Sequence, residues 1–216
     1  MATRRILQCL VLLACVVAPP PTQNLWSADD PIIIRVEEDW RIEIGSPSSL
    51  DNAPQLINVI SPLPDTNGVH GAFEINHATL PDYTTGGTQI QTWNGNTHLG
   101  YKSAPKSQEL STDNETITYT IGMGLKDNAI TYEVRNGKSQ TWGTFGHADA
   151  LKLTTPTSLA NLNTYASEVS VKHSRVGFAT RRVKRFVLLE VRYYTQSGQV
   201  LTDSTDRTVH SYMSSP

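Results

Sequence analysis

The chain has 216 residues, of which 38% are hydrophobic and 18% are charged, and its formal net charge is −2 at pH 7. This length fits one domain of β-sandwich size better than two small domains. The mild acidity excludes a general electrostatic attraction to nucleic acid or to an anionic membrane surface.

The N-terminal residues have the pattern of an export signal. Arg4 and Arg5 precede an apolar run at 6–18 that is too short for a stable membrane span, and three prolines then end any helix. We therefore predict that residues 1–28 are a signal peptide with a proline-rich leader, and that the protein is secreted or lies in the cell envelope. The segment Leu12-Leu13-Ala14-Cys15 resembles a bacterial lipobox, so a lipid anchor at Cys15 is the alternative.

Both cysteines, Cys9 and Cys15, lie in this leader. The domain predicted to remain, residues 29–216, therefore has no disulfide, no cysteine metal ligand and no cysteine nucleophile. A chain of this size can be stabilised by burial alone, because folding removes about 70% of its extended surface from water.

Alternating apolar stretches separated by turn signals follow along the rest of the chain. The predicted strands are, in chain order, residues 32–36, 40–44, 55–60, 69–77, 88–93, 116–123, 129–134, 151–153, 183–194 and 199–203, and residues 205–216 are predicted to be a terminal strand or a tail. The longest of them is 183–194, which contains no glycine or proline. With a period of two residues, one of its faces is nearly all apolar and is predicted to face the core. That face carries Val183, Val187, Leu189, Val191 and Tyr193.

No helical period exceeds two turns, although a single helical turn is predicted at 158–165. Many short strands without long helices predict an all-β fold, a two-sheet antiparallel sandwich formed by residues 29–216 as a single domain. The residues predicted to form its core include Phe73, Ile75, Ile90, Ile121, Val187, Leu189 and Val191.

Several short segments resemble a known family. They are Phe-Glu-Ile-Asn-His at 73–77, Pro-Asp-Tyr at 81–83, Gly-Gly-Thr-Gln-Ile-Gln-Thr-Trp-Asn-Gly at 86–95, Trp-Gly at 142–143, Leu-Ala-Asn-Leu-Asn at 159–163 and Val-Gly-Phe at 176–178. Together they are similar to a family of secreted proteins of planctomycete-type bacteria, which looks related in fold to the concanavalin A-like (laminin G-like) jelly rolls. The resemblance implies an exported jelly roll, with another β-sandwich as the alternative, and it carries no activity to transfer.

Concanavalin A-like folds include laminarinase-type glucanases, whose signature is Glu-x-Asp-x-x-Glu on one strand. Glu37 and Asp39 match the first two acids, but Ile42 stands in the third position. Because cleavage of a glycosidic bond needs a correctly spaced pair of carboxylates, the failed pattern predicts that the protein is not an enzyme. We interpret residues 37–39 as a solvated acidic corner between two strands.

The six histidines lack the spacing of metal ligands, and no phosphate loop or serine-hydrolase motif occurs. No metal or cofactor is therefore predicted. Calcium binding is kept as an alternative, although no sequence pattern supports it. The basic run at 181–185 adjoins a predicted buried strand. This position favours charges that block edge pairing, or that attract an acidic polysaccharide, over contacts with nucleic acid.

Aromatic side chains at turns and in loops are the remaining candidates for a site. Trp93 precedes Asn94-Gly95, Trp142 precedes Gly143, and Tyr83 lies in a predicted loop. A sugar ring presents apolar C–H faces to an aromatic plane, and neighbouring amides bind its hydroxyl groups. We therefore predict carbohydrate contacts by Trp93, Trp142, Tyr83 and Asn94; the alternative is that both tryptophans cap the core.

Three functions follow from these patterns. The first is a secreted, non-enzymatic protein that binds an extracellular glycan or matrix component. The second is a structural or interaction protein of the cell envelope, with another envelope protein as its partner, and the third is a hydrolase whose site has no recognisable motif. An open face at Trp93 and Trp142 would favour glycan binding, whereas burial of both rings would favour the structural role.

Overall fold

Two antiparallel β-sheets pack face to face in the computed structural model, which describes residues 31–46, 54–76, 87–105, 110 and 112–212. The predicted all-β sandwich is confirmed, and its arrangement is jelly-roll-like. The predicted signal peptide and both cysteines lie outside the described residues. The concanavalin A-like relationship stays a prediction.

Thirteen strands are present within the described residues. They are β1 (Ile33–Ile44), β2 (Gln55–Ile60), β3 (Val69–Ile75), β4 (Gly87–Asn94), β5 (Thr97–Pro105), β6 (Glu115–Lys126), β7 (Ala129–Ser139), β8 (Gly143–Phe145), β9 (Lys152–Pro156), β10 (Arg175–Phe178), β11 (Val183–Thr195), β12 (Val200–Asp203) and β13 (Arg207–Ser211). Strands β5, β8 and β10 have no counterpart among the predicted strands.

The eight-stranded sheet has the order β12-β11-β1-β6-β7-β8, with β13 also paired to β11 and β9 also paired to β7. The five-stranded sheet has the order β10-β2-β3-β4-β5. The core lies between the two sheets and includes aromatic contacts such as Phe73 with Tyr119, whose ring centroids are 4.9 Å apart. Each sheet therefore has one face on the core and one outer face.

β1 is a single strand where the sequence predicted two strands and an acidic corner. It pairs with β11 on one side and with β6 on the other, so its backbone is hydrogen-bonded through residues 37–39. The predicted solvated corner is wrong, because Glu37 is only 5% exposed and Glu38 is fully buried. Both carboxylates tolerate this burial because each accepts several hydrogen bonds.

β11 contains two bulges that change which side chains face the core. Its pairing with β1 skips Leu189 and, nearer the start of the strand, Lys184. Each extra residue shifts the two-residue alternation by one position. Phe186 and Leu188 therefore face the core, and the prediction that placed Leu189 there is wrong, because Leu189 is only partly buried.

The other predicted core residues are buried. Phe73, Ile75, Ile90, Ile121 and Val191 belong to the cluster between the sheets. Val187 is also fully buried, but it lies outside that cluster.

The basic run at 181–185 leads into β11, which has neighbours on both sides. Because β11 is not an edge strand, the charged side chains of this run cannot serve to block edge pairing, and that interpretation is also wrong. Arg182 is the last residue of a short 3-10 turn (Thr180–Arg182) and is 3% exposed. Its Nε donates a hydrogen bond to the carbonyl oxygen of Gly45 at 3.2 Å, which links the entrance of β11 to the end of β1.

The helical turn predicted at 158–165 does not form; a helix, α1 (Ser167–His173), follows it instead. Tertiary contacts hold this helix, since its N-cap residue Ala166 makes no side-chain capping bond. Within the described residues, neither α1 nor the 3-10 turn is long and apolar enough to cross a membrane.

Glu38 fastens α1 and the preceding loop to the eight-stranded sheet. Its carboxylate accepts hydrogen bonds from the Tyr165 hydroxyl at 2.6 Å, from Ser170 Oγ at 2.5 Å and from Trp40 Nε1 at 2.9 Å. Burial raises the pKa of Glu38 to about 7, although these donors oppose the shift.

Candidate functional site

The outer face of the five-stranded sheet carries a cavity of about 300 Å³, which we call the outer groove. Because Phe73 and Ile75 of β3 point into the core, the alternate residues His70, Ala72 and Glu74 point outwards into the groove. The same alternation on β4 directs outwards the side chains of Gln91 and Trp93.

The floor of the groove is low because a small residue occupies its middle. Ala72 pairs with Gln91 on one side and with Val59 of β2 on the other. Next to it along β3, His70 pairs with Trp93. Larger side chains therefore surround a recessed centre.

A chain of side-chain hydrogen bonds fixes Trp93 at one end of the groove. Trp93 Nε1 donates to Gln91 Oε1 at 2.9 Å, and Gln91 Nε2 donates to Gln89 Oε1 at 2.6 Å. Gln89 Nε2 in turn donates to Ser103 Oγ on β5 at 2.7 Å. The partly exposed indole is thus held in one orientation while it lines the cavity.

Two further rings extend this aromatic end along β5. The centroid of His98 lies 4.8 Å from that of Trp93, and the stacked ring of Tyr101 lies 5.9 Å from His98. Tyr101 is 61% exposed. The result is a row of rings at the edge of the sheet next to the groove.

The opposite end of the groove is basic. His173 is the last residue of α1, and Arg175 is the first residue of β10, which pairs with β2. Between them, Ser174 Oγ accepts hydrogen bonds from the backbone N–H of Val59 at 2.9 Å and from Asn58 Nδ2 at 3.0 Å. This anchor holds both basic side chains beside the cavity.

The titratable groups of the groove affect one another. Burial lowers the pKa of His70, and the nearby His173 lowers it further, against a hydrogen bond between His70 Nδ1 and the carbonyl oxygen of Gly68. Burial raises the pKa of Glu74, and the charge of Arg175 opposes this rise. No side-chain hydrogen bond of Glu74 is found within the described part of the chain.

The predicted site residues are not brought together as a set. Trp93 lines the groove, and the exposed Asn94 stands beside it at the end of β4. Trp142 is 8% exposed and belongs to the core cluster, as the alternative interpretation of this residue described. Tyr83 lies outside the described residues.

The four titratable side chains that line the groove have no part in the predicted site: His70, Glu74, His173 and Arg175. The alternation of β3 already assigns His70 and Glu74 to the face opposite Phe73, which is the signal that could have identified them. His173 and Arg175 approach them only through the pairing of β10 with β2, for which the sequence has no local signal.

The acids of the failed glucanase pattern lie elsewhere, on the outer face of the eight-stranded sheet. Glu37 Oε1 accepts hydrogen bonds from Arg35 and Arg135, and Glu37 Oε2 accepts them from Arg192 and Tyr194. Burial raises the pKa of Glu37, but these donors outweigh it and hold the pKa below its ordinary value. Arg192 also binds Asp39. The arrangement is an ion-pair network whose central carboxylate has two partners on each oxygen.

Among the residues that the structure describes, no three His, Cys, Asp or Glu side chains are grouped so that they could hold a metal ion. No known protein family and no curated protein sequence matches the chain.

Proposed function

We propose that the protein binds an extracellular carbohydrate in the outer groove, without cleaving it, and that Trp93 is the residue on which a sugar ring stacks. The observation that carries this proposal is the fixed, partly exposed indole at the wall of an open cavity whose other walls bear hydrogen-bonding side chains.

The chemistry of the groove suits a sugar better than a purely apolar ligand. The indole supplies an apolar plane for C–H faces, while Gln91, Glu74 and Asn96 line the same cavity and can bind hydroxyl groups. The hydrogen bond from Trp93 to Gln91 already restricts the ring in the free protein. Binding a sugar therefore costs little additional side-chain entropy. Export of the chain, inferred from its leader, would bring this face to extracellular polysaccharides.

The two tryptophans give a matched test. Trp93→Ala should abolish retardation of the protein in gels that contain a bound polysaccharide, and should change its thermal unfolding little. Trp142→Ala should instead cost about 3–5 kcal/mol of stability, because it removes a core ring. Trp93→Phe keeps an aromatic plane and should retain part of the binding.

Unchanged binding by Trp93→Ala would contradict the proposal. Early unfolding of both alanine variants would show that Trp93 is structural as well. In either case the alternative of an envelope interaction protein would take precedence.

A further inference from the structure

We propose that the outer groove selects acidic polysaccharides, with the anionic group of one sugar held by Arg175 and His173 while a more distant sugar of the same polymer stacks on Trp93. This inference rests on the proposed function of the groove and adds the chemical class of its ligand. Carboxylate and sulfate groups share the required chemistry, and the test below separates them.

The distance between the two ends of the groove requires a ligand of more than one sugar. Arg175 stands on β10 and Trp93 on β4, and these strands are separated by β2 and β3 in the sheet. At about 4.8 Å between neighbouring strands, the three steps span about 14 Å across the sheet. Trp93 also lies four residues further along β4 than Gln89, the residue in register with Arg175, which adds an offset of about 13 Å along the strand. The low floor at Ala72 leaves room for a polysaccharide chain to cross between the ends.

Arg175 is exposed and held in place by its backbone, but its side chain forms no ion pair or hydrogen bond within the described residues. Its position contrasts with that of Arg35 and Arg192, whose guanidinium groups are bound to carboxylates on the other sheet. Glu74 interacts with this guanidinium by charge, beyond ion-pair distance, so its N–H groups can still bind a carboxylate or sulfate through two parallel hydrogen bonds.

The charges around Arg175 favour an anion, and increasingly so at acidic pH. His173 from α1 and His70 from β3 face the same cavity, and the lowered pKa of His70 means that its ring gains positive charge only at a lower pH than an ordinary histidine. Glu74 is the one acidic side chain among the described residues that line the groove, and its raised pKa makes it easier to neutralise. Because the whole chain carries a formal charge of −2, this attraction is local.

The test measures the affinity of the purified protein for two matched pairs of polymers. Polygalacturonate is compared with its carboxyl-reduced form, and dextran sulfate with dextran, at constant ionic strength and at pH 5 and pH 7.5. We expect at least one acidic polymer to bind more tightly than its neutral partner, and more tightly at pH 5. Preference for polygalacturonate identifies a carboxylate ligand, whereas preference for dextran sulfate alone identifies a sulfate.

Charge variants link the preference to the groove. Arg175→Gln should weaken binding of the preferred acidic polymer by about tenfold to a hundredfold, which is the effect of losing hydrogen bonds to a charged group. Glu74→Gln should strengthen it. Arg185→Gln is the control for non-specific attraction, because Arg185 lies on the other sheet, and it should leave binding unchanged.

Each adverse outcome has a distinct meaning. Equal affinity for acidic and neutral polymers, with loss of both in Trp93→Ala, would overturn the acidic preference and leave carbohydrate binding in place. An acidic preference that survives Arg175→Gln would also overturn the inference. Binding that survives Trp93→Ala would overturn the proposed function, and absence of binding to all four polymers would overturn both.

Discussion

Leu188 and Leu189 are adjacent leucines that the bulge in β11 places in different environments. Leu188 is fully buried between the sheets, whereas Leu189 is the extra residue of the bulge and is only partly buried. Replacing a buried leucine by alanine costs about 2–5 kcal/mol, from the lost transfer of apolar surface and the cavity left behind. Leu188→Ala should fall in that range, whereas Leu189→Ala should cost about 1 kcal/mol, a typical value for a single substitution.

Urea unfolding followed by tryptophan fluorescence measures both costs. With a slope of about 2 kcal/mol per molar urea, a loss of about 3 kcal/mol lowers the midpoint by about 1.5 M. The slope itself should be equal in both variants, so that the midpoints compare directly. A cost for Leu189→Ala that equals or exceeds that of Leu188→Ala would refute the bulge and restore an unbroken alternation through the strand.

Two further predictions concern the buried carboxylate and the leader. Glu38 has a pKa of about 7 in the folded state against an ordinary value of 4.5, so the folded state binds the proton more tightly and stability falls as pH rises from about 4.5 to 7. The loss is on the order of 3 kcal/mol, and Glu38→Gln should remove it; identical urea midpoints for both proteins across that pH range would contradict this. Mass spectrometry of the native protein should show that residues 1–28 are absent. A lipid-bearing N-terminus at Cys15 would favour the alternative anchor, and an intact Met1 would contradict export.

The strands were predictable from sequence because their signals are local. The hairpin of β6 and β7 shows this, since alternating apolar residues flank a polar turn at residues 126–128 and both strands occur where the pattern places them. The same locality explains the assignment of Phe73 and Ile75 to the core.

The bulges of β11 were not predictable in this way. They are properties of the pairing with β1, and nothing in residues 183–194 alone indicates that Leu189 is skipped. The helix α1 was missed for a related reason: it has seven residues and no side-chain cap, and its bond from Ser170 reaches Glu38 on a distant strand. A helix this short depends on tertiary contacts rather than on its own propensity.

The candidate site was predictable in part. Trp93 stood out because it adjoins a turn, and the structure places it at the wall of the groove. The equally suggestive Trp142 is a core residue, since its side chain belongs to the cluster between the sheets. Arg175 becomes a groove residue only through the order of strands in the sheet.

The position of β1 has a consequence for how the protein is made. Its carboxylate Glu37 and the hydroxyl of Tyr194 on β11 are hydrogen-bonded across 157 residues of sequence. Contacts between such distant segments close large loops and slow folding. Ribosomes add about 5–20 residues per second, so β1 waits many seconds for β11, and the eight-stranded sheet cannot be completed until most of the chain has been synthesised.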